Sequence, residues 1–303
     1  MGWNAIDQQV QALCDRLARD PATVLLEVMK LLAEERDAGC LRPSVRLRLF
    51  GIAMTAHRRI GDFELAEQAA IEGSMIAARS PIANADYLLH LATLRIVQDR
   101  PDDAIRSIDR AAKLMRRELA KPEPTAKESQ RRRRWMRTAK ASSSVLRGQV
   151  LVLHSKGSVD QVFTETFEAL QLTSDLVKAT SYTRRVHLAA VTVLCSLLVK
   201  YGTATIAGQA IEILDRAEHV LIYRCRVAPD HVHRIKLKWC RALVLARLGS
   251  LNKAERLLVE VVERLAAQGF ENDTQRALDA LVWVIERTTR PARAGYYELK
   301  YRG

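Results

Sequence analysis

His231 and His233 form the one His-x-His pair of the chain, and imidazole nitrogens are common ligands for zinc and other transition metals. On a helix, residues two apart diverge by roughly 200°, and no carboxylate stands at helical spacing to complete a ligand set. The pair therefore predicts no metal site. His57, His90, His154, His187 and His219 each stand alone on helical stretches and read as packing or surface residues rather than bases. Cys14, Cys40, Cys195, Cys225 and Cys240 are odd in number, scattered, and never in a Cys-x-x-Cys spacing, which points to reduced thiols rather than to disulfides or zinc. No phosphate loop, dinucleotide glycine pattern, Gly-x-Ser-x-Gly or His-Glu-x-x-His sequence is present. The reading is a non-enzyme, with no catalytic residue, metal or cofactor.

Charge carries more information. Residues 116–140 hold ten Lys/Arg against three Glu, and residues 287–303 five against one, so these two segments supply eleven of the thirteen net positive charges. The first contains Arg131, Arg132, Arg133, Arg134, Trp135, Arg137 and Lys140. Consecutive arginines on a helix point in all directions. Such a cluster pairs with phosphates, and an interleaved Trp stacks on bases, which makes these seven residues candidate polyanion contacts. The plainer alternatives are an acidic protein surface, or arginines that simply solvate an exposed helix.

The elements that position these groups are helices. With 48% apolar residues, and only 13 Gly and 8 Pro in 303, the chain favours helix and offers almost no alternating strand pattern. Gly61-Asp62-Phe63-Glu64-Leu65-Ala66 and Gly249-Ser250-Leu251-Asn252-Lys253-Ala254 recur between apolar helical stretches. Each is a glycine turn followed by a small residue where two antiparallel helices cross closely. Further hairpins are predicted at Arg100-Pro101-Asp102-Asp103, Gly157-Ser158-Val159 and Tyr201-Gly202-Thr203. The residues after the five turns, Ala66, Ala104, Val162, Ala207 and Ala254, lie 38, 58, 45 and 47 apart.

These motifs resemble the tetratricopeptide repeat family, in the long-hairpin form of bacterial regulators and adaptors rather than the compact repeat of about 34 residues. The resemblance covers about two thirds of the chain. It implies an all-α fold, a right-handed α-solenoid of antiparallel helix hairpins. The expected organisation is capping helices at 1–43, repeats 1 and 2 at 44–118, a basic insert at 119–142, repeats 3 to 5 at 143–270, a capping helix at 271–289 and a loosely held basic tail at 290–303. The insert restarts as a helix at a capping box, Thr125-Ala126-Lys127-Glu128. A helix-turn-helix reader at the N-terminus is rejected, since 10–32 lacks a short recognition helix.

The resemblance also implies a concave groove lined by the first helix of each hairpin. Carried over by position, Arg48, Arg58 and Arg59 come from the first copy, Arg147 and His154 from the third, and Lys236, Trp239 and Arg247 from the last. Thr55, Leu89, Thr93, Ile96, Leu151 and Leu243 belong to the same faces. An apolar floor with basic edges suits a protein or acidic peptide partner, including a second copy of the chain. Trp3, Trp239 and Trp283 read first as core. The N-terminus has no secretory pattern and Leu188–Val199 is too short to span a bilayer, so the expectation is a cytoplasmic protein with no membrane partner and no small-molecule substrate. Two functions stand: an interaction scaffold, or a nucleic-acid-associated protein using the Arg-rich segment and the tail.

Overall fold

The computed structural model describes residues 3–17, 20–38, 41–121, 125–174, 181–202, 204–288 and 290–302. Among them are fourteen α-helices and no strand. They are α1 (Trp3–Arg16), α2 (Pro21–Ala38), α3 (Pro43–Arg59), α4 (Phe63–Ile76), α5 (Pro81–Val97), α6 (Pro101–Leu119) and α7 (Ala126–His154), then α8 (Val159–Ser174), α9 (Ser181–Tyr201), α10 (Ala204–His219), α11 (Val232–Arg247), α12 (Leu251–Ala267), α13 (Glu271–Ile285) and α14 (Arg293–Arg302). A five-residue π-helix, Val220–Arg224, extends α10. The chain divides into two compact units, 1–150 and 151–303, with the division inside α7.

Helix starts follow local chemistry. Pro43, Pro81 and Pro101 occupy the first helical turn, where a missing N–H costs nothing. Asp62 and Ser80 cap their helices by accepting from Leu65 N and Ala83 N. The capping box at α7 is formed: Thr125 Oγ1 donates to Glu128 Oε2 at 3.0 Å and accepts from Glu128 N at 3.3 Å. Helix ends share one closure. Asp62 N, Arg100 N, Ser250 N and Phe270 N each donate to the carbonyl five residues back, and the residue before each has positive φ: Gly61 86°, Asp99 58°, Gly249 81° and Gly269 70°. Asp99 thus does the work of the glycine that the second hairpin lacks, because Asp tolerates the left-handed region better than most residues.

Each helix packs on its sequence neighbours. Within residues 1–150, α2 meets α3, α3 meets α4, α4 meets α5, α5 meets α6, and α1 also meets α3. Their shared core includes Leu13, Leu49, Ala66, Leu94, Ala104 and Ile108. Within 151–303, α8 to α13 pack in order, with α9 on α11 and α11 on α13 as next-but-one contacts. One core there joins α9, α10 and α11 through Leu194, Leu214, Leu221 and Val244. The other joins α11 to α14 through Ile235, Leu258, Leu278 and Tyr297. Ala66, Ala104 and Ala254, the small residues after the turns, are fully buried at the crossings. The side chain of Ala207 lies outside the described residues.

Several expectations need correction. The tail is a helix, α14, with Ala294 and Tyr297 buried against the last core and Arg293 paired to Glu255 at 2.6 Å. Ala294, Tyr297 and Tyr301 form one apolar face, which outweighs the breaking tendency of Pro291 and Gly295. Trp283 is 44% exposed rather than core, and the Arg287 guanidinium lies 4.2 Å above its ring. The side chain of Trp3 lies outside the described residues. The stretch Leu188–Val199 belongs to a longer helix, and its window Tyr182–Tyr201 has the length and composition of a membrane span. The fold buries 61% of that window.

Candidate functional site

The residues expected to line a groove divide between the units, and most of those charges bridge helices. Arg48 pairs with Asp7 at 3.3 Å and donates to Gln11 at 3.2 Å, tying α3 to α1. Arg147 meets Asp109 of α6 at 2.5 Å, and Lys236 meets Asp273 of α13 at 2.7 Å. Arg247 donates to the carbonyl of Gly202 at 3.4 Å, just past the end of α9. Arg58 and His154 are half-buried and Arg59 is exposed. Trp239 is half-buried on the α11–α14 core, its indole N–H buried without an acceptor. Leu89, Ile96 and Leu151 are core residues rather than floor.

A groove does exist, on the other side of α3. α2, α3 and α4 enclose a cavity of about 600 Å³. Its floor is Phe50 and Ala53 of α3 and Ala69 of α4, and its walls carry Met29 of α2 and Leu65 of α4. Met29 is 50% and Leu65 44% exposed, and the neighbouring Leu26 is 72% exposed. At ~100° per residue, Arg46, Phe50, Ala53 and His57 share a face roughly opposite to that of Arg48, Thr55, Arg58 and Arg59. α3 also contributes Arg46 and His57, about three turns apart along that face, and Gln68 and Glu72 come from α4. His57 is 7% exposed, its Nδ1 makes no hydrogen bond, and the nearest carboxylate oxygen, of Asp62, is 3.7 Å away. Burial pushes its pKa down against the pull of Asp62, so it stands neutral at pH 7.

The Arg-rich segment is the start of α7, and α6 adds to it. Arg106, Arg110, Lys113 and Arg117 are exposed at spacings of 4, 3 and 4 along α6, one face of the helix. Arg106 is paired to Asp103. Glu118, 9% exposed, holds Lys121 Nζ at 2.6 Å and Arg132 Nε at 3.7 Å, and Arg132 also donates to the carbonyl of Lys121 at 3.3 Å. That knot draws the basic end of α6 to the basic start of α7. Arg131, Arg133, Arg134 and Lys140 are exposed and Arg137 is half-buried. The α6 stripe was readable from its spacing alone, yet a count of local charge density passes over it, because Asp102, Asp103 and Asp109 offset it.

Trp135 anchors this segment. Its Nε1–H lies 3.1 and 3.2 Å from the two carboxylate oxygens of Asp86 on α5, and its ring packs against the first core. Burial outweighs this hydrogen bond and pushes the Asp86 pKa up to about 6.

The histidine pair also differs from expectation. His231 precedes α11 as its cap, with extended backbone, and its Nδ1 accepts from His233 N at 3.2 Å. Because it stands outside the helix, its ring comes within 4.6 Å of that of His233 instead of diverging. Among the described residues no group of three His, Cys, Asp or Glu side chains is placed to hold a metal ion. Cys195 and Cys240 are buried free thiols and Cys14 an exposed one, while Cys40 lies outside the described residues. Burial raises the pKa of Cys195, and that of Cys240 to about 12, which leaves both unreactive.

Fold and grooves together define an all-α chain whose helices pack on their sequence neighbours and leave an apolar groove and a basic face open in the first unit. No protein-family description matches the chain, and no curated protein matches it.

Proposed function

We propose that this chain is a non-enzymatic interaction scaffold, a tetratricopeptide-like α-solenoid that works in the cytoplasm and holds a protein partner by a peptide segment. The α2–α3–α4 groove carries this reading. Its volume, about 600 Å³, suits a short segment rather than a whole domain. Exposed Met29 and Leu65 beside an apolar floor are surface that a folded chain ordinarily covers. The occupant is a segment offering two or three large apolar side chains at helical spacing, with a carboxylate toward Arg46. The solenoid reading is supported by contacts confined largely to neighbouring and next-but-one helices.

Photo-crosslinking from position 65, in extract of the host, tests the proposal. A discrete crosslinked protein that disappears when Met29→Asp is added, while a probe at the exposed Lys253 crosslinks nothing specific, supports it. No specific product from position 65, or one indifferent to Met29→Asp, rejects it.

A second reading is favoured by one observation: the exposed stripe of α6 joined to the arginines of α7 through Glu118. It makes this face a contact for nucleic-acid phosphates. Trp135 then acts as the anchor of the face rather than a base-stacking group, since its N–H is engaged by Asp86.

A further inference from the structure

A second cavity, of about 480 Å³, lies between α12, the segment after α13 and α14. Its wall carries three arginines, Arg256, Arg290 and Arg293, against one carboxylate, Glu255. Glu255 is 7% exposed and already neutralised: Arg293 Nη1 lies 2.6 Å from its Oε1. Arg293 Nη2 also donates to Tyr297 Oη at 3.2 Å, which leaves the phenol's own hydrogen as a donor. Arg256 spends only its Nε, on the carbonyl of Asn252 at 3.3 Å. Arg290 is exposed and has no carboxylate partner among the described residues, and its backbone is fixed by the 3.2 Å bond from its N–H to Thr288 Oγ1.

The cavity therefore holds two uncompensated guanidinium groups, a third whose charge is matched, and a phenol donor. An isolated surface arginine does not create such a site. Here the buried Glu255 fixes Arg293, which orients Tyr297, and the other two cations line the same concavity. We propose that this cavity binds the dianion of a phosphate monoester. The charge matches, because a monoester carries close to two negative charges at pH 7. The chemistry matches, because guanidinium forks bond pairs of phosphate oxygens. A volume of about 480 Å³ leaves room for a small organic group beside the phosphate, against Val259 and the Tyr297 ring.

The test uses the full chain, titrated calorimetrically with potassium phosphate and with phenyl phosphate, at ionic strength matched with potassium chloride. Saturable binding is expected. Tighter binding of phenyl phosphate assigns the site to an organic monoester, and equal binding assigns it to free phosphate. Arg256→Gln and Arg290→Gln should each weaken binding about tenfold, as for loss of one charge-assisted hydrogen bond. Arg131→Gln with Arg134→Gln should leave binding unchanged, which separates this cavity from the basic face of the first unit. Because the second ionisation of a phosphate monoester lies near pH 6, affinity for phenyl phosphate should fall below that pH, whereas sulfate binding should not. Absence of saturable binding, or binding indifferent to Arg256→Gln and Arg290→Gln in variants with unchanged thermal unfolding, overturns the proposal.

Discussion

Thr173 Oγ1 and His187 Nδ1 meet at 2.9 Å inside the second unit, joining α8 to α9. The Thr173 hydroxyl donates to the carbonyl of Ala169 at 2.7 Å, so its oxygen accepts and His187 must carry its proton on Nδ1. His187 is 8% exposed, and burial pushes its pKa down to about 4.

The neutral form is thus the one that the fold stabilises. The unfolded chain takes up the proton near pH 6.5, while the native state resists it down to about 4. Stability is complete above the higher value and is lost as pH falls between the two. From pH 7 to pH 5 this group alone should remove about 2 kcal/mol. Urea unfolding at both pH values checks it, with His187→Gln expected to shrink the loss by that amount. Equal losses in both proteins would show that His187 is not the group responsible.

Asp86 runs the opposite way. Its pKa is raised to about 6, so the native state is penalised wherever the carboxylate is ionised, and stability from this group falls as pH rises from about 4 to 6. Asp86→Asn keeps an acceptor for the Trp135 N–H without the charge. It should stabilise the protein by ~1–3 kcal/mol at pH 7 and by little at pH 4. A urea midpoint that falls at pH 7 would contradict this.

Gly73 of α4 faces the ring of Tyr87 on α5. A Cβ there would stand 2.2 Å from Cε1 and 2.4 Å from Cζ. The ring cannot retreat cheaply, because its hydroxyl donates to the carbonyl of Leu47 at 2.5 Å. Gly73→Ala should cost about 3 kcal/mol by overpacking. Paired with Tyr87→Leu, the double variant should be more stable than the sum of the singles implies. Additive losses in thermal unfolding would place the strain elsewhere.

If the α6–α7 face takes up nucleic acid, affinity should fall log-linearly with salt. Arg110→Gln, Lys113→Gln and Arg117→Gln together should reduce the slope by about 2 to 3. Arg132→Gln should instead lower stability, because it leaves the buried Glu118 short of a partner. A slope unchanged in the triple variant, measured by fluorescence anisotropy, removes this reading.

Much of the local structure was legible in residue types. The Gly61 and Gly249 turns and the Thr125 capping box depend on bonds that reach only a few residues, so their signals lie side by side in the chain. Asp99 was harder to read, since a non-glycine residue with positive φ carries little compositional mark. α14 runs against its local signals: Pro291 and Gly295 mark a break, while the Ala294-Tyr297-Tyr301 spacing stabilises a helix only where a core lies beside it. The histidine pair depends on where α11 starts: within the helix the two rings would diverge, and with His231 at the cap they meet.

The amino-acid order alone determined the helical class, the turns between helices and the location of positive charge, because those follow from propensity, capping and composition. It also determined that Arg46, Phe50, Ala53 and His57 share one side of α3, since the helical period allows nothing else. Which side of α3 would border a groove, and whether Arg48, Arg147 and Lys236 would face a partner or a neighbouring helix, was decided by tertiary packing. Those outcomes depend on carboxylates and apolar side chains tens of residues away, which periodicity places on a face but cannot place in space.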